Sequence, residues 1–198
     1  MLLFTGAMAY GQTRGERLSR HQSYLDSASF YKATDIEKSI DFIAHSISEL
    51  GDSGNKRELA LSLTFLGEIY QYHQQYDLAI TNYRESLETY KTSKTTLLLG
   101  EALVLNGEYN DAEVILRPLL KINGLIPYQK TTLYEHLGDA YRGLGDIEKS
   151  VAFYQEGIKI ANQNQITPKL ADLNSKIADA YAEDDKLIEA DAFYDSSL

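Results

Sequence analysis

The chain repeats itself, and a repeat closed over tens of residues leaves few folds open. One pentapeptide, Asp-Ile-Glu-Lys-Ser, stands at residues 35–39 and again at 146–150. Each is followed by an apolar residue and, two places on, an aromatic: Ile40 and Phe42, then Val151 and Phe153. Aligned from that anchor, the chain falls into five copies. A small-residue column reads Ser27, Gly67, Gly100, Gly138, Ala178. Three residues later comes a large one: Phe30, Tyr70, Leu103, Tyr141, Tyr181. Six further on stand Ile36, Tyr76, Tyr109, Ile147, Leu187. A second small column, Ser39, Ala79, Ala112, Ser150, Ala190, precedes by four residues the column Ile43, Tyr83, Leu116, Tyr154, Tyr194.

Residues three or four apart share a helix face. A small residue on each of two helices lets the backbones approach, and a large neighbour fills the space beside the contact. Each copy is therefore two antiparallel helices with a turn near Thr34, Gln74, Gly107, Gly145 and Asp185. One pair cannot bury its apolar face alone, whereas stacked pairs can.

The motif Leu66-Gly67, Tyr70, Tyr76, Ala79, Tyr83, Leu87 resembles a tetratricopeptide repeat, as do Leu99-Gly100 to Leu120 and Tyr134, Leu137-Gly138, Tyr141, Tyr154, Ile158. The resemblance implies an all-α fold: a right-handed α-α superhelix, or solenoid, of about five antiparallel helix pairs. The array occupies residues 13–198, with copies near 20–50, 57–92, 93–122, 129–162 and 168–198. The first copy fits least well, with Asp26 where the others have Leu66, Leu99, Leu137 and Ile177. The small column advances by 40, 33, 38 and 40 residues, against a standard of 34. The excess falls in turn-rich stretches between pairs. Such spacing resembles the N-terminal arrays of Bacteroidetes-type bacterial signalling proteins. Pro118 falls inside a second helix and should kink or break it.

Composition removes function classes. Net charge is −10, which repels phosphate backbones and argues against nucleic acid. The chain has no cysteine, so disulfides, thiolate zinc sites and cysteine nucleophiles are excluded. His21, His45, His73 and His136 show no metal-ligand spacing and read as exposed helix residues. No phosphate loop or nucleophile elbow occurs. The expectation is no enzyme, no catalytic or metal site, and no cofactor.

What the repeat offers is a concave surface lined by first helices. The family pattern places the residue after the small column in the groove: Ala28, Glu68, Glu101, Asp139 and Asp179. Flanking candidates are Tyr24, Tyr31, Thr64, Gln71, Leu97, Val104, Glu135 and Arg142. This acidic stripe departs from the carboxylate-clamp type and implies a protein or peptide ligand of basic or mixed charge. The alternative is that acids in this column are ordinary helix solubilisers.

Residues 1–12 are apolar and small, like the end of a signal peptide. They imply a periplasmic or secreted protein, with the cytoplasm as the alternative; no segment is apolar enough to span a membrane. The expected role is an interaction scaffold. The alternative is the input region of a longer histidine kinase or helix-turn-helix regulator. Leu198 falls within the last second helix, so the array reads as truncated there, with self-association through its uncapped last repeat as a further expectation.

Overall fold

The computed structural model describes residues 3–50 and 55–195, with side chains described from Gly15 onward except Arg17. Its helices divide between two compact units, Met1–Lys91 and Thr92–Leu198. In the first, α1 (Leu3–Tyr31) packs on α2 (Ile36–Leu50), α2 on α3 (Lys56–Tyr72), and α3 on α4 (Tyr76–Thr89). In the second, α5 (Ser93–Leu105) pairs with α6 (Tyr109–Leu116), α7 (Pro127–Gly143) with α8 (Ile147–Gln163), and α9 (Thr167–Glu183) with α10 (Leu187–Asp195). Helix α7 also packs on α5 and α9, so first helices are neighbours. This is the expected all-α repeat of antiparallel pairs. The apolar start at residues 1–12 lies outside the residues whose side chains are described.

The columns have a direct physical meaning. At Gly67, Gly100 and Gly138 an added Cβ would lie 2.5, 2.3 and 2.3 Å from side-chain atoms of Tyr83, Leu116 and Tyr154. The large residue of each second helix thus sits in the notch left by glycine on its first helix. All three intruding side chains are fully buried.

The pentapeptide is a helix start. The Asp35 and Asp146 carboxylates accept from the backbone N–H of Lys38 and Lys149, each at 3.1 Å. These bonds satisfy donors that the first turn leaves unpaired. Four of the expected turns share one cap. Gln74, Gly107, Gly145 and Asp185 take φ of 60°, 80°, 78° and 57°. The following residue donates back across the turn, as Gln75 does to Tyr70 O at 2.9 Å and Asp146 to Tyr141 O at 2.9 Å. Pro118 acts as expected: α6 stops at Leu116 and the chain continues as a 3₁₀ turn, Arg117–Lys121.

The first copy corrects the alignment by one residue. Its turn lacks the left-handed cap; Thr34 and Asp35 both donate to Tyr31 O. The turn is one residue shorter, with Asp35 reaching back four residues to Tyr31 O where Asp146 reaches back five to Tyr141 O, so α1 meets α2 through Ala28 and not through Ser27. Ala28 is fully buried, and the Ser39 hydroxyl donates to its carbonyl at 2.7 Å. The large column there holds Tyr31, while Phe30 is 75% exposed. The fourth copy repeats the arrangement. Tyr31 stacks on Phe42 at 5.7 Å beneath Lys38, and Tyr141 stacks on Phe153 at 5.3 Å beneath Lys149.

The histidines also differ from expectation. His45 is exposed, but His21 and His136 are buried. His21 Nδ1 lies 2.7 Å from the Ser46 hydroxyl, and its Nε2 is 3.5 Å from a Glu58 carboxylate oxygen. The bond to α2 satisfies Nδ1, while Nε2 faces Glu58 without a hydrogen bond among the described residues.

Candidate functional site: a cleft along the first helices of the second unit

The groove candidates separate by burial. Thr64 is 3% exposed, its hydroxyl tied to Ala60 O and Ser86 Oγ. Leu97 is 6% exposed, within a core of Leu116, Leu119, Leu125, Leu133 and Leu137. Neither can meet a ligand on the surface. Tyr24 and Tyr31 both pack against Phe42 of α2, which follows from the one-residue shift of α1. Position 28, expected in the groove, is the buried contact of that pair. In the first unit Gln71 accepts from the Tyr83 hydroxyl at 2.9 Å, and Glu68 is half-buried beside it on α3.

In the second unit the acids are held by cations and tyrosines. Lys176 of α9 donates to both oxygens of Asp139, each at 2.8 Å, and lies 3.6 Å from Glu135. Lys169 pairs with Glu135. The Tyr154 hydroxyl donates to Asp139 at 2.7 Å, and Tyr194 donates to Asp179 at 2.7 Å. A second-helix tyrosine therefore holds the groove acid of its own pair at Asp139 and at Asp179, and at Asp139 the next pair's lysine neutralises it. Arg142 lies 3.8 Å from Asp179 and 3.6 Å from Glu183, both longer than a hydrogen bond.

Burial alone would raise the Asp139 carboxyl. His136, Lys176 and Tyr154 outweigh it and hold the group down to about 2. Glu135 is lowered likewise: burial opposes, while His136, Lys169 and Lys176 prevail. Burial would lower Lys176, but Asp139 and Glu135 raise it. The Tyr154 hydroxyl is pushed up by burial and by Asp139. These groups stay ionised, or neutral in the case of Tyr154, across the ordinary pH range.

Ligand atoms of Glu135, His136 and Asp139 lie within 4.8 Å of one another. A divalent ion there would compete with the ammonium groups of Lys169 and Lys176. The donor set is that of a buried salt-bridge cluster, not of a metal cradle.

Beside this cluster opens a cleft of about 350 Å³. Val104 and Leu105 of α5 and Tyr109 of α6 form its apolar lining. Asp139 and Arg142 of α7, with Lys176 and Glu183 of α9, form its charged lining. Gly143 completes it. Of the groove candidates the cleft gathers Val104, Asp139 and Arg142. Glu101 lies one turn before Val104 and Leu105 on α5, half-buried, and makes no ion pair among the described residues. Lys169, Lys176, Tyr109 and Gly143 were not foreseen as site residues. The lysines become visible only once α7 and α9 are neighbours.

A first-helix cleft on stacked helix pairs defines a helical-repeat protein. The model of the soluble NSF attachment protein family, SNAP, matches residues 3–104, more than half of the chain. A tetratricopeptide repeat model matches residues 131–164. The chain belongs to the SNAP family of tetratricopeptide-like repeats. No curated protein matches it significantly in sequence. Among solved structures it is similar to BtubC (BKLC) from P. vanneervenii, with a TM-score of 0.79 at 14% identity, covering 96% of this chain and 84% of that one. It is similar to a kinesin light chain-like repeat protein of Podospora anserina, with a TM-score of 0.74 at 16% identity, covering 90% and 93%. It is also similar to PilF of Pseudomonas aeruginosa, with a TM-score of 0.71 at 17% identity, covering 92% and 77%. At these identities the likeness is one of fold.

Proposed function

We propose that the chain is a protein-interaction scaffold that takes an extended peptide segment into the cleft of α5, α6, α7 and α9. The observation that carries this reading is the cleft itself: an apolar lining from Val104, Leu105 and Tyr109 beside two acids and two cations. Its charged lining is balanced, so the ligand is of mixed charge, with an apolar side chain between charged ones. Glu101 adds a place for a ligand cation. A purely basic ligand is less favoured than the acidic column suggests, because Lys176, Lys169 and Arg142 already face Asp139, Glu135 and Asp179. Nothing in the arrangement offers a nucleophile beside a base, and the scaffold reading is non-enzymatic.

The apolar start at residues 1–12 supports placing this scaffold outside the cytoplasm. The repeat spacing near 40 residues supports the second reading, an input region of a signalling protein. Fusing residues 1–30 to a reporter active only after export tests location; a fusion that is made but stays inactive rejects it.

The cleft is tested with an immobilised array of mixed-charge, purely basic and purely acidic peptides. Mixed peptides with a central apolar residue should bind, and Glu101→Lys and Arg142→Glu should each weaken them about tenfold. Equal binding by all three classes, or unchanged binding by both variants, rejects the reading.

A further inference from the structure

Gly143 departs from the repeat without a backbone reason. It is the last helical residue of α7, and the left-handed position of that turn is Gly145, with φ 78°. Five residues past the small column, where Gly143 stands, the neighbouring copies have Tyr72, Leu105 and Glu183. What the missing side chain admits is the Tyr109 ring. A Cβ on residue 143 would lie 2.4 Å from each of three atoms of that ring, Cδ1, Cε1 and Cζ. Such a separation is far inside van der Waals contact.

This notch differs from those at Gly67, Gly100 and Gly138. There the intruding side chain is fully buried and has nowhere to go. Tyr109 is half-buried and lines the open cleft. Its hydroxyl makes no hydrogen bond among the described residues. The ring is thus used as a surface of the cleft, beside Val104 and Leu105, and not as core.

We infer that Gly143 is a positioning residue, seating the Tyr109 ring as the subsite that takes the ligand's apolar side chain. The inference rests on the cleft reading and deepens it by naming what the subsite selects. An aromatic face with aliphatic neighbours favours a leucine or phenylalanine side chain over a polar one. The charged lining then fixes the residues on either side.

The test uses the full chain and labelled nonapeptides of alternating Lys and Glu with a central Leu, Phe or Ser. Selective tyrosine labelling with NMR follows the contact between the Tyr109 ring and Gly143. In the parent protein the Leu and Phe peptides should bind about tenfold tighter than the Ser peptide. Gly143→Ala should remain folded, since the displaced ring can swing into the cleft, while losing the ring contact and the preference together. Tyr109→Phe should keep the preference, and Tyr109→Ser should lose it. An unmoved ring in Gly143→Ala overturns the seat. A displaced ring with the preference intact overturns the subsite. If the parent binds none of the peptides while Gly143→Ala still displaces the ring, the cleft reading fails and the subsite with it.

Discussion

The Tyr154 hydroxyl, carried on α8, donates a 2.7 Å hydrogen bond to Asp139 on α7. The same tyrosine ring fills the notch at Gly138, one residue before that aspartate. One side chain thereby closes the helix pair and orients the groove acid. Lys176 of α9 reaches the same carboxylate, so packing and charge order converge on Asp139.

Asp139→Asn removes the charge that Lys176 and Tyr154 face, and leaves a largely buried ammonium short of its partner. The expected loss is about 3 kcal/mol, read as a lower urea midpoint at pH 7. A loss below about 0.5 kcal/mol would show the cluster to be solvated and energetically idle.

The pH dependence has a defined sign. Asp139 titrates near 2 in the folded chain against 3.8 unfolded, so its contribution is present above about pH 4 and is lost as pH falls through 2. Glu135, also lowered, acts in the same direction. Lys176 is raised, so its contribution is present below its unfolded value and is lost as pH rises through the folded one. The parent Tm should fall between pH 4 and 2 more steeply than that of Asp139→Asn. Parallel curves would remove Asp139 as the cause.

Gly138→Ala places a methyl 2.3 Å from the Tyr154 ring, which is fully buried and cannot yield. Overpacking there should cost about 2 kcal/mol, although alanine is the better helix former. Gly124→Ala meets nothing within 4 Å and should change stability by less than about 0.5 kcal/mol. Thermal unfolding of the two variants side by side reads the difference.

The register of α1 is open to the same kind of measurement. Ala28→Leu should destabilise by about 2 kcal/mol, because Ala28 is the fully buried contact to Ser39. Phe30→Ser, at a 75% exposed position, should be close to neutral. The reverse ranking would restore Ser27 and Phe30 to the interface.

The helix pairs, their turns and the break at Pro118 are legible because each depends on local spacing: small residue, large residue, cap. Tyr24 and Tyr31 are misplaced because the first turn is one residue shorter and has no left-handed cap, which spacing from the pentapeptide cannot reveal. Thr64 and Leu97 lie on the expected helices but point into the pair, a matter of a fraction of a turn. Lys169 and Lys176 escape notice because their partners sit on α7, more than thirty residues away in the chain. Gly143 carries a readable signal, a glycine where its repeats have large residues; its use needs the position of Tyr109.

Calorimetric titration of a mixed-charge nonapeptide with a central leucine into the parent chain, Val104→Glu and Arg142→Glu tests the central claim most directly. The account predicts saturable one-to-one binding to the parent, weakened at least about tenfold in each variant with the fold intact. Equal affinity in all three proteins, or no binding to the parent, would contradict it.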